Sequence, residues 1–261
     1  MQQAINRLLE IMQQLRDPER GCPWDLEQSY RTIVPHTLEE AYEVADAIER
    51  NALEELKGEL GDLLFQVVFY AQIATEEGRF PFEEVVESIN AKLVRRHPHV
   101  FGELEVENST VQTQLWEQLK QQERGNKEGM DSSALDGVLD ALPALTRAAK
   151  IQRRAAHVGF DWPEIGGVLD KVEEEFAELR QAKELKERRI EEEMGDLLFS
   201  MVNLCRHLGF DSEGVLRRAT TKFENRFRQM ERRIAEEGYS LQGMDSQQME
   251  QFWQKIKEQK R

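Results

Sequence analysis

The sequence predicts an all-α protein built from two tandem helical-bundle domains, and three observations lead to this fold class. The 261 residues include only 7 Pro and 16 Gly among long runs of Glu, Leu, Ala, Gln, Lys and Arg, a composition typical of helices. Apolar residues recur with the 3.6-residue period of an amphipathic helix, and no segment shows convincing strand alternation with turn signals. The motifs of the first half also return in the second half.

Four sequence blocks occur twice in the same order, which indicates a duplication. The first copies are LEEAYEVADAI (38–48), ELGDLLFQVVFYA (59–71), KLVRRHPHVF (92–101) and WEQLK (116–120). The second copies are VEEEFAELRQA (172–182), EMGDLLFSMVNLCRHLG (193–209), KFENRFRQM (222–230) and WQKIK (253–257). The lead-ins CPWD (22–25) and GFDW (159–162) also echo each other.

The segment between the two sets of blocks is polar and contains Gly and Ser, as in QQERGNKEGMDSSALDG at 121–137. Such a composition is typical of a flexible linker. We therefore predict an N-terminal domain at 1–124, a linker at 125–137 and a C-terminal domain at 138–261, and both domains have a common domain size.

Local signals predict where several helices begin and end. Thr37, followed three residues later by Glu40, fits a capping box at the start of the EEAYE helix. Asp136 is a candidate cap for the helix that contains LTRAAKIQRRA, with Pro143 near its start or at a kink. Pro98 is predicted to end the KLVRRH helix.

Each GDLLF block carries an apolar stripe that we expect to face the core of its bundle. The stripe consists of Leu60, Leu64, Val67, Val68 and Ala71 in the first copy and of Leu197, Leu198, Met201, Val202, Leu204 and Cys205 in the second. Gly61 and Gly195 precede the aspartates inside these helices. Because glycine in a helix interior costs about 1 kcal/mol relative to alanine, we expect both to allow close approach of a helix or a ligand.

Acidic residues are paired beside both stripes. Glu59 and Asp62 lie on one face of their helix, about 60° apart, and the preceding helix offers Glu40 and Glu43 at the same spacing. The second half repeats the arrangement with Glu175, Glu178, Glu193 and Asp196. If each pair of helices packs side by side, four carboxylates converge and their mutual repulsion calls for a cation.

The ligand type suggests which cation. All-oxygen ligand sets favour hard ions such as Mg²⁺ or Mn²⁺ over zinc or copper. Helix-bundle iron sites use Glu-x-x-His pairs, and none of the five histidines has a glutamate three positions before it. The ordinary alternative is that the acids form a solvated face, but their duplication beside the same apolar run favours a metal site.

Basic and aromatic residues follow each acidic pair at fixed spacing. Lys-x-x-x-Arg and Trp-x-x-x-Lys occur as Lys92/Arg96 and Trp116/Lys120 in the first half and as Lys222/Arg226 and Trp253/Lys257 in the second. Arg189, Glu192 and Lys171 lie one helical turn before acids of the second half. Taken singly, the lysines and arginines could be solvated and the tryptophans could be core residues. Together with a metal, these basic and aromatic residues predict a nucleoside polyphosphate site.

Composition and missing motifs exclude other classes of protein. The formal net charge of −15 predicts repulsion of nucleic acid. No signal-peptide core and no membrane-length apolar run are present, so we expect a cytoplasmic protein without membrane association. Cys22 and Cys205 form neither a zinc motif nor a disulfide framework. No P-loop, G-x-G-x-x-G or Ser/His/Asp arrangement occurs.

The chain resembles the MazG-type all-α nucleotide pyrophosphohydrolases. The resemblance rests on the pattern E-E-x-x-E, a spacer of some fifteen residues and E-x-x-D, and on GCPWD, HPHVF and GFDW in the same chain. It covers nearly the full length and matches the tandem-domain members of the family. It implies a homodimer whose four-helix cores are completed by dimerisation, and Mg²⁺-dependent hydrolysis of ribo- and deoxyribonucleoside triphosphates to monophosphate and pyrophosphate.

The resemblance also implies roles for particular residues. Glu175, Glu178, Glu193 and Asp196 would bind the catalytic metal. Glu174 and Glu175 compete with Glu173 for the double-glutamate position of the family, and this register keeps Glu178 as the last acid. Lys222, Arg226, Trp253 and Lys257 would hold the nucleotide, with Lys171, Arg189 and Glu192 as further candidates. Glu174 is a candidate general base. The C-terminal domain would carry the activity, while the N-terminal domain would be regulatory or structural despite keeping Glu40, Glu43, Glu59 and Asp62 as metal ligands.

Two other functions remain open at the level of sequence. The chain could be an acidic helical interaction module that binds a basic partner without catalysis. It could also be a narrower enzyme that prefers dUTP or dCTP, since such relatives share the acidic pattern. Base preference and the physiological role, whether cleaning of nucleotide pools or control of stress-signalling nucleotides, are not legible in the sequence.

Overall fold

The structure, a computed structural model, describes residues 2–104, 133–185 and 189–258 and confirms the all-α fold. Those residues form eleven α-helices and one short 3-10 helix at Leu241–Gly243, without a strand. The helices are α1 (Gln2–Leu15), α2 (Pro23–Glu27), α3 (Tyr30–Glu49), α4 (Leu53–Glu76), α5 (Phe82–Arg96), α6 (Pro98–Phe101), α7 (Ala144–His157), α8 (Ile165–Leu185), α9 (Ile190–His207), α10 (Ser212–Glu236) and α11 (Ser246–Glu258). Within these ranges, no helix is sufficiently long and apolar to cross a membrane.

The chain divides into two compact units, Met1–Glu128 and Gly129–Arg261. The linker predicted at 125–137 stays a prediction, because residues 125–132 lie outside the described ranges, as do Trp116 and Lys120. The last residues of that segment pack on the second unit. Leu135 lines a cavity there, and the carbonyl of Asp136 accepts a hydrogen bond from Arg154.

In the first unit, α3 and α4 form a helical hairpin, and α1 and α5 pack on α4. Met12 of α1, Ile33 of α3 and Val68, Phe69 and Ile73 of α4 form a buried core. Ile73 follows Phe69 by four residues and Val68 by five, which places the three side chains on one side of that helix. The core therefore lies where α4 faces α1 and the N-terminal half of α3.

In the second unit, α8 and α9 form the corresponding hairpin, and α7 packs on α9. Helices α10 and α11 contact each other and enclose a separate small core of Met230, Ile234, Phe252 and Ile256. Helix α10 also contacts α7 and α9. The arrangement around the α8–α9 hairpin thus repeats that around the α3–α4 hairpin.

Two of the predicted helix caps are wrong. Helix α3 begins at Tyr30 under a capping box of Ser29 and Thr32, so Thr37 lies inside the helix. The Thr37 hydroxyl contacts the carbonyl of Ile33 and the Tyr70 hydroxyl instead. The Ser-x-x-Thr capping box at Ser29 lies upstream of the Thr-x-x-Glu pattern at Thr37. The helix therefore begins earlier than predicted and runs through that pattern.

The second wrong cap is Asp136, whose carboxylate accepts a hydrogen bond from the Ser133 amide at 2.5 Å, while α7 begins after Pro143 without a side-chain cap. Pro143 occupies the N-cap position of α7, which confirms the prediction of a proline at its start. Helix α5 ends at Arg96, just before the short helix that begins at Pro98, and this confirms the predicted end.

The apolar stripes predicted as core are only partly buried. Val68 and Ala71 are buried, but Leu60 is 50% exposed, and Leu64 and Val67 are also exposed. In the second copy Val202 is buried, Leu197, Leu204 and Cys205 are half-buried, and Leu198 and Met201 are exposed, Leu198 to 53%. The prediction failed for this chain because α4 and α9 each carry apolar residues on two faces, and the helices of the same unit cover only one.

Candidate metal centre and adjoining cavity

Three of the four predicted carboxylates of the second unit converge in the structure. Glu175 of α8 and Glu193 and Asp196 of α9 each place one oxygen within 4.8 Å of the others. Glu175 and Glu193 are buried, whereas Asp196 is exposed. The hairpin produces this cluster because Glu193 and Asp196 are one turn apart on α9 and face the α8 turn that carries Glu175.

The negative charge on this cluster is partly compensated by basic side chains. Burial raises the pKa of Glu193, and the neighbouring charges of Glu178, Glu192 and Asp196 raise it further, while Arg189 acts in the opposite direction. Arg189 Nη1 lies 3.6 Å from Glu193 Oε1. Glu178 is exposed and outside the tight group of three, although its charge raises the pKa of Glu193.

The cluster has the ligands that a hard divalent cation requires. Its donors are all carboxylate oxygens, the set that Mg²⁺ and Mn²⁺ favour. Glu175 Oε2 is buried without a hydrogen-bond partner in the part of the chain described. Lys171 Nζ lies 2.8 Å from Glu175 Oε1 and 2.9 Å from Glu174 Oε1, and these hydrogen bonds raise the pKa of Lys171. The carboxylates therefore already attract one positive group, the Lys171 ammonium, and a metal cation would be a second one.

The first unit carries a matching cluster. Oxygens of Glu40, Glu43 and Glu59 lie within 4.8 Å of one another. Burial raises the pKa values of Glu40 and Glu59, and the nearby charge of Glu43 raises both further. The charge of Asp62, the fourth predicted acid of this unit, also raises both pKa values.

The glycines before the two aspartates do not admit another helix of this chain. A Cβ atom built at Gly61 or Gly195 meets nothing within 4 Å in the described structure. The expectation of close approach by a helix of the same chain is therefore wrong, and approach by a ligand or by a second copy stays a prediction.

A cavity of about 400 Å³ adjoins the second cluster, and Lys171, Glu175 and Asp196 form part of its lining. Its volume lies within the range of small-molecule sites. Apolar lining comes from Ile151, Ala155, Phe160, Trp162 and Phe199, and polar lining from Gln152, Ser200 and Asn203. Two carboxylates of the cluster, Glu175 and Asp196, therefore line the same cavity as the apolar side chains.

One wall of this cavity is held by an ion pair between distant segments. Arg206 of α9 binds both carboxylate oxygens of Asp161, with a distance of 2.9 Å from Nη1 to Oδ2, and its Nε donates to Asn203 Oδ1 at 2.9 Å. The hydrogen bond from Arg206 lowers the pKa of Asp161 to about 2, and His207 contributes as well. The pair anchors the GFDW loop on α9.

The remaining predicted substrate-binding residues lie elsewhere in the unit. Lys222 and Arg226 are on α10 and Trp253 and Lys257 are on α11, and none of them lines the cavity. Trp253 packs against the α10–α11 core, with its ring centroid 5.1 Å from that of Phe223. The roles predicted for these four residues, and those of the exposed Arg189 and Glu192, stay predictions.

Gln152, Asn203 and Arg206 were not predicted as site residues. The signal that could have found them is the comparison of the two copies: GDLLFSMVN has Asn203 where GDLLFQVVF has Phe69. A polar residue in place of an aromatic one within a buried helix indicates a local function, because burying an amide without a partner is costly.

Fold and site together define an all-α protein with two similar helical hairpins. Each hairpin carries a carboxylate cluster that could hold a metal ion. The chain belongs to the MazG nucleotide pyrophosphohydrolase family, a family of hydrolases, whose domain model matches residues 28–101 and 164–230. Both matched ranges contain one of the helical hairpins, so the family domain is present twice.

Two relatives resemble the chain over nearly its whole length, and a third resembles part of it. It is 56% identical over 259 residues to the nucleoside triphosphate pyrophosphohydrolase of Escherichia coli strain K12, covering 98% of this chain and 97% of that one. It is 45% identical over 253 residues to the nucleoside triphosphate pyrophosphohydrolase/pyrophosphatase MazG of Thermotoga maritima, covering 97% and 95%. A Mycobacterium tuberculosis nucleoside triphosphate pyrophosphohydrolase is 34% identical over 161 residues, covering 60% of this chain and 47% of that one.

Proposed function

We propose that this protein hydrolyses ribo- and deoxyribonucleoside triphosphates at the α-phosphorus, releasing the nucleoside monophosphate and pyrophosphate with Mg²⁺, or Mn²⁺ as a substitute. The observation that carries the proposal is the convergence of Glu175, Glu193 and Asp196 beside a cavity of nucleotide size. The names of the Escherichia coli and Thermotoga maritima relatives support the reaction.

Glu175, Glu193 and Asp196 would hold the metal, with Glu178 as a fourth ligand. When bound, a divalent ion neutralises phosphate oxygens and lowers the pKa of a coordinated water. Lys171 would turn from Glu175 to a phosphate oxygen, because the metal would then neutralise the carboxylate. Glu174 is the proposed acceptor of the proton from the attacking water, since it lies beside the cluster but outside the group of three.

Cations on α10 and α11 would offset the charge on the leaving pyrophosphate. Lys222, Arg226 and Lys257 are proposed for this role, with Trp253 beside them. Arg226 is half-buried, and its buried Nε has no hydrogen-bond partner among the described residues. We place the reaction in the cytoplasm, where it would clean nucleotide pools or lower stress-signalling nucleotides.

A nucleotide panel tests this function. We expect Mg²⁺-dependent release of pyrophosphate and a monophosphate from ribo- and deoxyribonucleoside triphosphates, with little turnover after chelation of the metal. Orthophosphate as the product would indicate a phosphatase instead. Turnover confined to dUTP or dCTP would indicate the narrower enzyme.

The alternative of a non-catalytic interaction module follows from the acidic surface, with a formal net charge of −15. It predicts no release of pyrophosphate from any nucleotide and tight binding to a basic protein. The same panel, followed by a binding assay with a basic protein, therefore separates the two functions.

We also propose that the protein is a homodimer in which a second copy covers the exposed apolar residues of the hairpins. Leu60 and Leu64 of α4 and Leu198 and Met201 of α9 are exposed in the single chain, and such apolar surface favours association.

Leu198→Glu is expected to shift the protein from dimer to monomer in light scattering coupled to gel filtration. Glu191→Gln, on the first turn of α9 and exposed, is the control. A variant that stays dimeric would contradict the role of this face.

A further inference from the structure

Two segments that are distant in the sequence meet at the open end of the α8–α9 hairpin, the end at which α8 begins and α9 finishes. The loop before α8 carries Asp161, and the last turn of α9 carries Arg206. Nη1 and Nη2 of the arginine donate to the two carboxylate oxygens of the aspartate. The Arg206 side chain is 13% exposed and that of Asp161 is 26% exposed. Because a two-pronged pair fixes the orientation of both groups, the loop is fixed to α9 at this point.

The same arginine is linked to the side of α9 that carries a carboxylate of the cluster. Its Nε donates to Asn203 Oδ1 at 2.9 Å, and its Nη2 donates to the same oxygen at 2.7 Å. Asn203 is buried and lies seven residues after Asp196. Seven residues are nearly two helical turns, so both side chains lie on one face of α9, about 10 Å apart along its axis.

The other side of the loop is fixed to the beginning of α8. Trp162 follows Asp161 directly, and a Cβ atom built at Gly167 would overlap its indole ring. The glycine therefore lets the ring lie directly on α8. Gly167, Lys171 and Glu175 are spaced four residues apart, which places them along one side of this helix. Glu175 is thus about 12 Å along α8 from the indole contact.

The first unit holds its own hairpin in a comparable way with different residues. Arg16 of α1 pairs with Glu76 at the end of α4, with 2.7 Å between Nη2 and Oε2. Its Nη1 donates to the carbonyls of Asp25 and Gln28, in the segment that precedes α3. Both hairpins that carry a carboxylate cluster are therefore held at their open end by an arginine–carboxylate pair.

We propose that Asp161 and Arg206 are positioning residues of the proposed metal site, because their ion pair holds α8 against α9 and thereby keeps Glu175 within binding distance of the carboxylates on α9. The inference rests on the proposed function, which places a divalent ion in this cluster. Mg²⁺ requires ligand oxygens at about 2.1 Å in nearly ideal octahedral geometry. A small separation of the two helices would therefore weaken metal binding, although neither residue of the pair belongs to the cluster.

Asp161→Asn keeps the shape of the side chain and removes one charge of the pair. We expect Mn²⁺ to bind the second unit about tenfold more weakly in the absence of nucleotide, at the lower end of the effect of residues that orient metal ligands. Electron paramagnetic resonance of free Mn²⁺ measures this affinity, and the sites lost in Glu193→Gln identify the second unit. With ATP, the free Mg²⁺ concentration for half-maximal turnover should rise by a similar factor. Saturating Mg²⁺ should restore kcat to within about twofold, by mass action.

Two further comparisons separate the pair from its surroundings. Arg206→Lys keeps the charge but lacks the planar fork that binds both oxygens of Asp161, so it should weaken Mn²⁺ binding less than Arg206→Met does. Glu76→Gln breaks the corresponding pair of the first unit. It should leave the Mg²⁺ dependence of turnover unchanged, because we propose that the first unit is not catalytic.

A loss of structure would give a different result. Partial unfolding lowers the number of Mn²⁺ ions bound, or kcat, in proportion to the folded fraction, and it leaves the affinity of the folded molecules unchanged. Unchanged Mn²⁺ affinity in Asp161→Asn, equal affinities in Arg206→Lys and Arg206→Met, or no Mn²⁺ site that needs Glu193 would overturn the positioning role. Absence of turnover of every triphosphate, with a Mn²⁺ affinity that still depends on Asp161, would instead overturn the proposed function.

Discussion

Glu193→Gln is expected to lower kcat for release of pyrophosphate on the order of 10³-fold, because it removes one charged ligand from the proposed metal site. The substitution keeps the shape of the side chain almost unchanged. Glu193 is 4% exposed and belongs to the group formed with Glu175 and Asp196, so solvent cannot replace the lost ligand easily. Steady-state assays with ATP and dATP at saturating Mg²⁺ measure the effect.

The same variant is expected to be more stable than the unaltered protein when no metal is present. Burial and the neighbouring acids raise the pKa of Glu193. A carboxyl group with a raised pKa in the folded state opposes folding once it ionises, so stability falls as pH rises through the raised pKa. Glutamine removes this effect, and the unfolding temperature at neutral pH in EDTA should increase. Added Mg²⁺ should stabilise the second unit of the unaltered protein but not the second unit of the variant.

Glu59→Gln is the matched control in the first unit. The pKa of Glu59 is raised for similar reasons, so this variant should also gain stability in EDTA. Because we propose that the first unit is not catalytic, the Glu59 variant should hydrolyse substrate at a rate close to that of the unaltered protein. Normal turnover by the Glu193 variant would mean that the catalytic site is misplaced.

Phe69→Ala is expected to destabilise the first unit by about 3–5 kcal/mol, the usual cost of removing a buried phenylalanine side chain. Phe69 is fully buried and belongs to the core cluster with Met12 and Ile33. Its ring packs edge-on against Phe65 at 5.8 Å between centroids, and the Arg16 guanidinium lies 5.3 Å from its centroid. The substitution therefore removes several contacts and leaves a void.

Hydrogen exchange locates this effect, since a chain of two units does not unfold in a single two-state step. Peptides from α1, α3 and α4 should lose protection, whereas those from α7, α8 and α9 should not change. Phe210→Ala, at a residue exposed between α9 and α10, is the control and should cost less than about 1 kcal/mol. Unchanged protection of α4 would show that Phe69 is not a core residue.

The two units differ in a way that fits the division of labour that the family resemblance implies. Both carry a carboxylate cluster, so the acids alone do not explain why only one would be catalytic. The difference lies next to the clusters, where Phe69 fills space in the first unit and Asn203 lines a cavity in the second. A unit that has a carboxylate cluster but lacks this cavity is suited to a structural or regulatory role.

The amino-acid sequence by itself determined the helical class, the duplication and the candidate acids. These features are local: helix propensity and a 3.6-residue period need only neighbouring residues, and an E-x-x-D pair lies on one helix face wherever that helix packs. The sequence did not determine the helix caps as well, because both Ser29 and Thr37 are candidate caps for the same helix. The helix begins at the upstream one, Ser29.

Only the tertiary structure decided which apolar face is covered and where a cavity remains. A hydrophobic period shows that a face avoids water, but it does not show whether a helix of the same chain covers it, and Leu60 and Leu198 are therefore exposed in the single chain. The cavity joins Gln152 of α7, Lys171 of α8 and Asn203 of α9. Its shape depends on how side chains distant in sequence pack against one another, and no local pattern encodes that packing.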